Sequence, residues 1–340
     1  MMRIDAWTHF IPKPFADKMS QIAGNFADIG KRMREIPCIH DLDERRRVVD
    51  QFSDYAQILS HGMPPIENVV QGQQTEELCK LINDGFVDIC SRHKDQFPGW
   101  VAQVSLGYPE GAIREAQRAI KNGALGVQTY TNINGKPLDR PEYAEFWAAM
   151  AKLGKPVWIH PTRGANFADY QDEKKSLYEI WWTFGWSYET AAAMARLVFS
   201  KTLDNNPGLK LVMHHFGGIV PMVEGRIGPG WDQIGARTSD ADYQALKRSL
   251  KKRPLDYFKQ DFNADTAVFG SRAATVCGLE FFGADKVVFA SDCPFDPEGG
   301  PQYIRETIKI VDGLDISKAD REKIYFRNIE KLTGKTFVKP

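Results

Sequence analysis

At 340 residues and 43% hydrophobic, the chain is long enough to bury a large core, and α/β barrels of this size commonly form one domain, here 1–340. Its 44 basic and 44 acidic side chains cancel to a formal charge of zero, so no net field favours nucleic acid or an anionic membrane, and a small molecule is the expected partner. No apolar run approaches the ~20 residues that span a bilayer, the start Met1-Met2-Arg3-Ile4-Asp5 lacks a basic-then-apolar leader, and the five cysteines show no paired spacing; a cytoplasmic protein is expected.

Short apolar runs recur along the chain, each followed by a segment with helical spacing. The predicted strands are Arg3 to Ala6, Tyr55 to Leu59, Gly99 to Val104, Gly126 to Tyr130, Pro156 to His160, Lys210 to His214 and Lys286 to Ala290, with an eighth, less visible, at Leu255 to Phe262. Between them the pattern predicts helices at Pro109 to Lys121, which Asn122-Gly123 stops, at Pro141 to Leu153, which Gly154 ends, and at Glu189 to Leu203. This rhythm fits a doubly wound sheet and a barrel alike. Two stretches break it: Phe10 to Ile39, and Phe167 to Ser187 with Trp181, Trp182, Phe184 and Trp186 in quick succession. Both are candidate lids or oligomer contacts. Packing accounts for the aromatic run more readily than a substrate wall does, with Trp186 the residue offered to substrate.

The chemistry is carried by where polar residues fall. His9 follows Ile4-Asp5-Ala6, His160 ends Val157-Trp158-Ile159, His214-His215 end Leu211-Val212-Met213, and Asp292 follows Val287-Val288-Phe289-Ala290. In a parallel barrel all strand C-termini share one face, so these residues converge on one pocket, and neutral imidazoles with a carboxylate suit a divalent first-row ion. Each histidine alone is as readily a hydrogen-bonded structural residue; four positions in one register are harder to explain that way. His40, His61 and His93 are expected to be solvated or capping residues, and Cys293 a small hydrophobe shaping the site.

The blocks Ile4-Asp5-Ala6-Trp7-Thr8-His9, Trp158-Ile159-His160-Pro161, His215-Phe216-Gly217-Gly218 continuing to Gly225-Arg226-Ile227, and Ser291-Asp292-Cys293-Pro294-Phe295 resemble the aminocarboxymuconate semialdehyde decarboxylase-like branch of the amidohydrolase superfamily. The resemblance runs along nearly the whole chain. It implies a distorted (β/α)8 TIM barrel with loops and helices inserted after the first strand and around 167–187. It also implies metal ligation by His9, His160 and Asp292, with His215 as the acid/base residue and Asp292 beside it in catalysis, leaving His214 as a packed neighbour. Arg45 and Arg226 would grip a substrate carboxylate, the latter across the interface of a homodimer or higher homo-oligomer. Within Arg45-Arg46-Arg47 a solvated helix face accounts for the run equally well.

One departure stands out: the branch has a ligand where this chain has Trp7, and an indole has no lone pair for a metal. The expected site therefore has at most three protein ligands, zinc being the expected ion and manganese the second choice. Trp7 either stacks a ring-shaped substrate or plugs a lost ligand position. The implied function is nonoxidative decarboxylation of a cyclic, aromatic or unsaturated carboxylic acid. Hydrolysis of a lactone, amide or C–C bond is the alternative, hydration of a double bond a third outcome, and a metal-free binding protein a fourth.

Overall fold

The computed structural model describes residues 1–23, 29–239 and 241–338. Eight parallel strands carry the fold: β1 (Arg3–His9), β2 (Tyr55–Ser60), β3 (Gly99–Trp100 continuing at Ala102–Gln103), β4 (Val127–Tyr130), β5 (Val157–His160), β6 (Leu211–Met213), β7 (Phe262–Asp265) and β8 (Val287–Val288). β3 changes partner at Val101, its first half pairing with β2 and its second with β4. Ala6 N–H donates to Phe289 O at 2.8 Å, joining the last strand to the first and closing a TIM barrel. In register, Tyr130 lies beside His160 and Ile159 beside Met213, which aligns the strand ends on one rim.

Helices form the outer ring where the apolar spacing placed them. Pro109–Lys121 buries Ala112, Ala116 and Ala119 on one face. At Pro141 the chain makes a single 3-10 turn before the α-helix Ala144–Leu153, which ends at Gly154 with φ +64°. The third predicted helix lies earlier than expected: Gly185–Phe199, then a separate short turn Thr202–Asn205.

The eighth predicted strand is corrected. Leu255 and Phe258 lie on a helix, Pro254–Gln260, started by a first-turn proline, and the strand begins only at Phe262. Its polar residues Asn263 and Asp265 face a barrel interior that is itself polar near the rim, which hid the strand from an apolar pattern.

After β1 the chain inserts helices Lys13–Ala23 and Ile29–Arg34, residues 24–28 lying outside the described residues, then a turn at Pro37–Ile39 and helix Leu42–Val49. Asp41 caps the last of these by accepting from Asp43 N and Glu44 N. Arg32 donates to Phe295 O and Asp296 O and so ties this insertion to the loop after β8. Among the described residues no helix is long and apolar enough to cross a membrane.

Candidate metal centre and active site

Where β1, β5, β6 and β8 end, His9, His160, His214 and Asp292 each bring one donor atom within 4.8 Å of the others, all of them buried. The rings are oriented from behind. His9 Nδ1 donates to His61 O at 2.9 Å, His160 Nδ1 donates to Pro161 O at 2.7 Å, and His214 Nδ1 faces Asp265 Oδ2 at 2.5 Å. Each of these bonds fixes a hydrogen on Nδ1 and leaves Nε2 for the centre, the arrangement by which metal-binding histidines are usually held.

Asp292 Oδ1 receives two of these nitrogens, His9 Nε2 at 2.9 Å and His214 Nε2 at 3.2 Å. Burial pushes the Asp292 carboxyl up, but the His214 and His9 rings against it outweigh burial and hold the group well below the usual carboxylate range. Burial pushes His9 and His160 down, His160 the further, so both rings are neutral and ready to donate lone pairs. His214 is opposite: burial depresses it, yet Asp265 and Asp292 together lift it to about 9. Three imidazole nitrogens and a carboxylate form a donor set that fits a divalent first-row ion.

The count corrects two expectations. His214, expected to be a packed neighbour, is the fourth member of the cluster, so the set is not limited to three. His215 sits beside it with the two rings stacked at 3.7 Å and 20°. The reason is local: β6 ends at Met213, and the chain turns left-handed at His215 (φ +55°) and Phe216 (φ +51°), so the two side chains do not alternate as on a strand. Gly218 continues the turn at φ +66°, and a Cβ there would meet Ser187 O at 2.2 Å. Asp292 is also left-handed, at φ +65°. Non-glycine residues in this region cost roughly 1–3 kcal/mol each and gather at functional sites.

His215 is half-buried at the mouth, with Nδ1 donating to Ala267 O at 2.6 Å and Nε2 directed away from that bond. Burial lowers it to about 4, and the charge on His214 acts in the same direction. Phe269 lies 4.9 Å from its ring, Phe295 lies 5.5 Å from His9, and Trp186 stands edge-on to His160 at 5.7 Å. The mouth of the site is therefore lined with aromatic rings.

Trp7 has no exposed surface, lies on His214 at 4.0 Å and 18°, and donates Nε1–H to Gln128 Oε1 at 2.9 Å. A substrate has no face of it to stack on, so the plug reading is the one its position allows. Arg45 is also corrected: it is fully buried behind the site, donating to Cys38 O, Gln57 Oε1, Cys293 Sγ and His9 O. These bonds commit all three guanidinium nitrogens to His9, Cys38, Gln57 and Cys293, bracing His9 and the segment after Asp292. Arg226 is exposed on the helix Glu224–Asp232. His61, expected to be solvated or capping, is buried, and its carbonyl orients His9. Asp5 lies deeper in the barrel, accepting from Tyr55 and Ser291, outside the cluster.

The amidohydrolase family model matches residues 4–334. Gamma-resorcylate decarboxylase from Rhodococcus jostii is 28% identical over 341 residues, covering 95% of this chain and 96% of that protein. The 2-amino-3-carboxymuconate-6-semialdehyde decarboxylase of Dictyostelium discoideum is 25% identical over 98% of this chain and 92% of its own length. Among solved structures, 5-carboxyvanillate decarboxylase from Sphingomonas paucimobilis superposes with a TM-score of 0.81 at 19% identity, over 98% of this chain and 99% of that one. A dihydroxybenzoic acid decarboxylase from Polaromonas, solved with bound manganese and 2-nitroresorcinol, gives 0.78 at 24% identity, over 98% and 97% of the two chains.

Proposed function

The chain belongs to the amidohydrolase family, and we propose on that premise that it is a metal-dependent nonoxidative decarboxylase of a cyclic, aromatic or unsaturated carboxylic acid. One observation carries the reading: His9, His160, His214 and Asp292 converge on one point, with His215 stacked beside them and its Nε2 uncommitted. The decarboxylase relatives and the aromatic lining of the mouth support it. His9, His160, His214 and Asp292 would hold a divalent ion, which would supply Lewis acidity to a substrate oxygen when bound. The donor set suits zinc, our proposed ion, and manganese fits it as well.

The protein's own part is positioning and proton movement. His215, neutral at physiological pH with Nδ1–H fixed on Ala267 O, presents the Nε2 lone pair to substrate. It takes the hydroxyl proton of a phenolic substrate and returns it to the ring carbon bearing the carboxylate. The C–C bond then breaks, CO2 leaves, and the electron pair returns to the ring, giving a phenolate that takes a proton from water. Trp186, Phe269 and Phe295 hold the ring flat and keep water from the site.

A carboxylate anchor within one protomer is not supplied by Arg45. We assign that role to Arg226 acting from a partner subunit, in a homodimer that covers exposed apolar side chains such as Tyr178, Phe184, Tyr188 and Met222, each more than half exposed. The five thiols, none in a disulfide, suit the reducing cytoplasm, where we place the enzyme, acting as one domain. The test is CO2 release by protein loaded with zinc or manganese, across hydroxybenzoates and muconate-type acids. Release that a chelator abolishes is expected; turnover confined to lactones or amides would overturn the reading.

A further inference from the structure

We infer that Asp265 is a positioning residue that sets the ring tautomer of His214 and the place of His215 together, so that the fourth metal donor and the proton carrier depend on one carboxylate. The inference rests on the metal reading above and deepens it.

Asp265 ends β7 and is fully buried. Its Oδ2 lies 2.5 Å from His214 Nδ1, while its Oδ1 accepts from His215 N at 3.1 Å and from Ala267 N at 2.9 Å. Ala267 O in turn receives His215 Nδ1 at 2.6 Å. One oxygen thus fixes the hydrogen of His214 on Nδ1 and frees Nε2 for the centre. The other holds the backbone of the left-handed turn and, through Ala267, the ring of His215. Trp7 on the far face of His214 closes the third direction, making a stack of Trp7, His214 and His215 whose middle ring is held at its Nδ1 edge by Asp265. The ligand lost from β1 at Trp7 is in this way replaced from β6, and Asp265 is what makes His214 fit to replace it.

Asp265→Asn separates the two functions. The amide oxygen keeps both backbone bonds, which orients the amide N–H groups toward His214 Nδ1. His214 must then accept there and carry its hydrogen on Nε2, where it no longer ligates. Mn2+ affinity, measured on the full chain by competition with a chromophoric chelator, should fall roughly 10–100-fold in this variant. His214→Ala should fall comparably, and the double variant no further. Should Asp265→Asn fail to fold, 15N-histidine NMR of the unmutated protein with Zn2+ decides: His214, assigned with the His214→Ala variant, must show its hydrogen on Nδ1 and a metal-shifted Nε2. Unchanged Mn2+ affinity in Asp265→Asn, or the opposite tautomer in the unmutated protein, overturns the role of Asp265 alone. Failure of the unmutated protein to bind either ion overturns the metal reading and this inference with it.

Discussion

His9 Nε2 and Asp292 Oδ1 face each other at 2.9 Å, although His9 has already given its ring hydrogen to His61 O. In a neutral imidazole two acceptors then point at one another, a contact that only a proton or a cation between them makes favourable. The same carboxylate oxygen also faces His214 Nε2. Asp292→Asn should therefore leave the fold in place and reduce bound metal from one ion per chain to a small fraction, read by elemental analysis after gel filtration. Full metal content in this variant would place the ion elsewhere.

His215 should separate from the ligands in its effect. His215→Gln is expected to lower kcat by about 10²–10⁴-fold while metal content stays that of the parent, as for loss of a positioned acid/base group. Loss of metal in this variant would make it a ligand instead.

Arg45 offers a sharp contrast between two roles. As a buried clamp, its replacement by Met leaves His9 O, Cys38 O and Gln57 Oε1 without their donor. The cost should be about 3–5 kcal/mol of stability, read by denaturant unfolding, with KM little changed in the protein that folds. A higher KM at unchanged stability would restore the carboxylate-gripping role that the family resemblance implied.

Glu67 gives the pH dependence. It is buried on the turn Ile66–Asn68 with Oε2 accepting from Ser105 and Oε1 unpartnered, and burial raises it to about 7. A carboxyl raised above its unfolded value contributes stability that is fully present below pH 4.5 and lost as pH rises through about 7. Glu67→Gln, which cannot ionise, should gain on the parent by up to ~3 kcal/mol between pH 5 and pH 8, visible as a difference of a few degrees in relative Tm. A parent–variant difference independent of pH would contradict the raised value.

Arg226 makes a prediction about assembly. Light scattering at micromolar concentration should give a dimer, and Arg226→Ala should raise KM for the carboxylate substrate by about 10-fold or more with metal content intact. A monomer with full activity would remove any role for Arg226 across an interface.

Much of the barrel was legible because parallel strands buried on both faces read as apolar runs, and Val157-Trp158-Ile159 and Leu211-Val212-Met213 are of that kind. β7 was missed because Phe262-Asn263-Ala264-Asp265 turns polar side chains into the barrel; Pro254 at a helix start and Asp265 at a strand end were the available signals. At the site, His9, His160 and Asp292 were legible as polar residues just past apolar strands. His214 was not, since strand alternation lets only one of two adjacent histidines face the centre, and only the left-handed backbone at His215 and Phe216 brings both rings together. That an indole cannot ligate was readable at Trp7; that His214 joins His9, His160 and Asp292 in one cluster required the fold.

The most direct test is anomalous diffraction from crystals grown with Mn2+. One strong peak per chain is expected at ~2.0–2.2 Å from Nε2 of His9, His160 and His214 and from a carboxylate oxygen of Asp292. A peak at a different set of side chains, or none with His9 and His214 bonded directly to Asp292, would contradict the account.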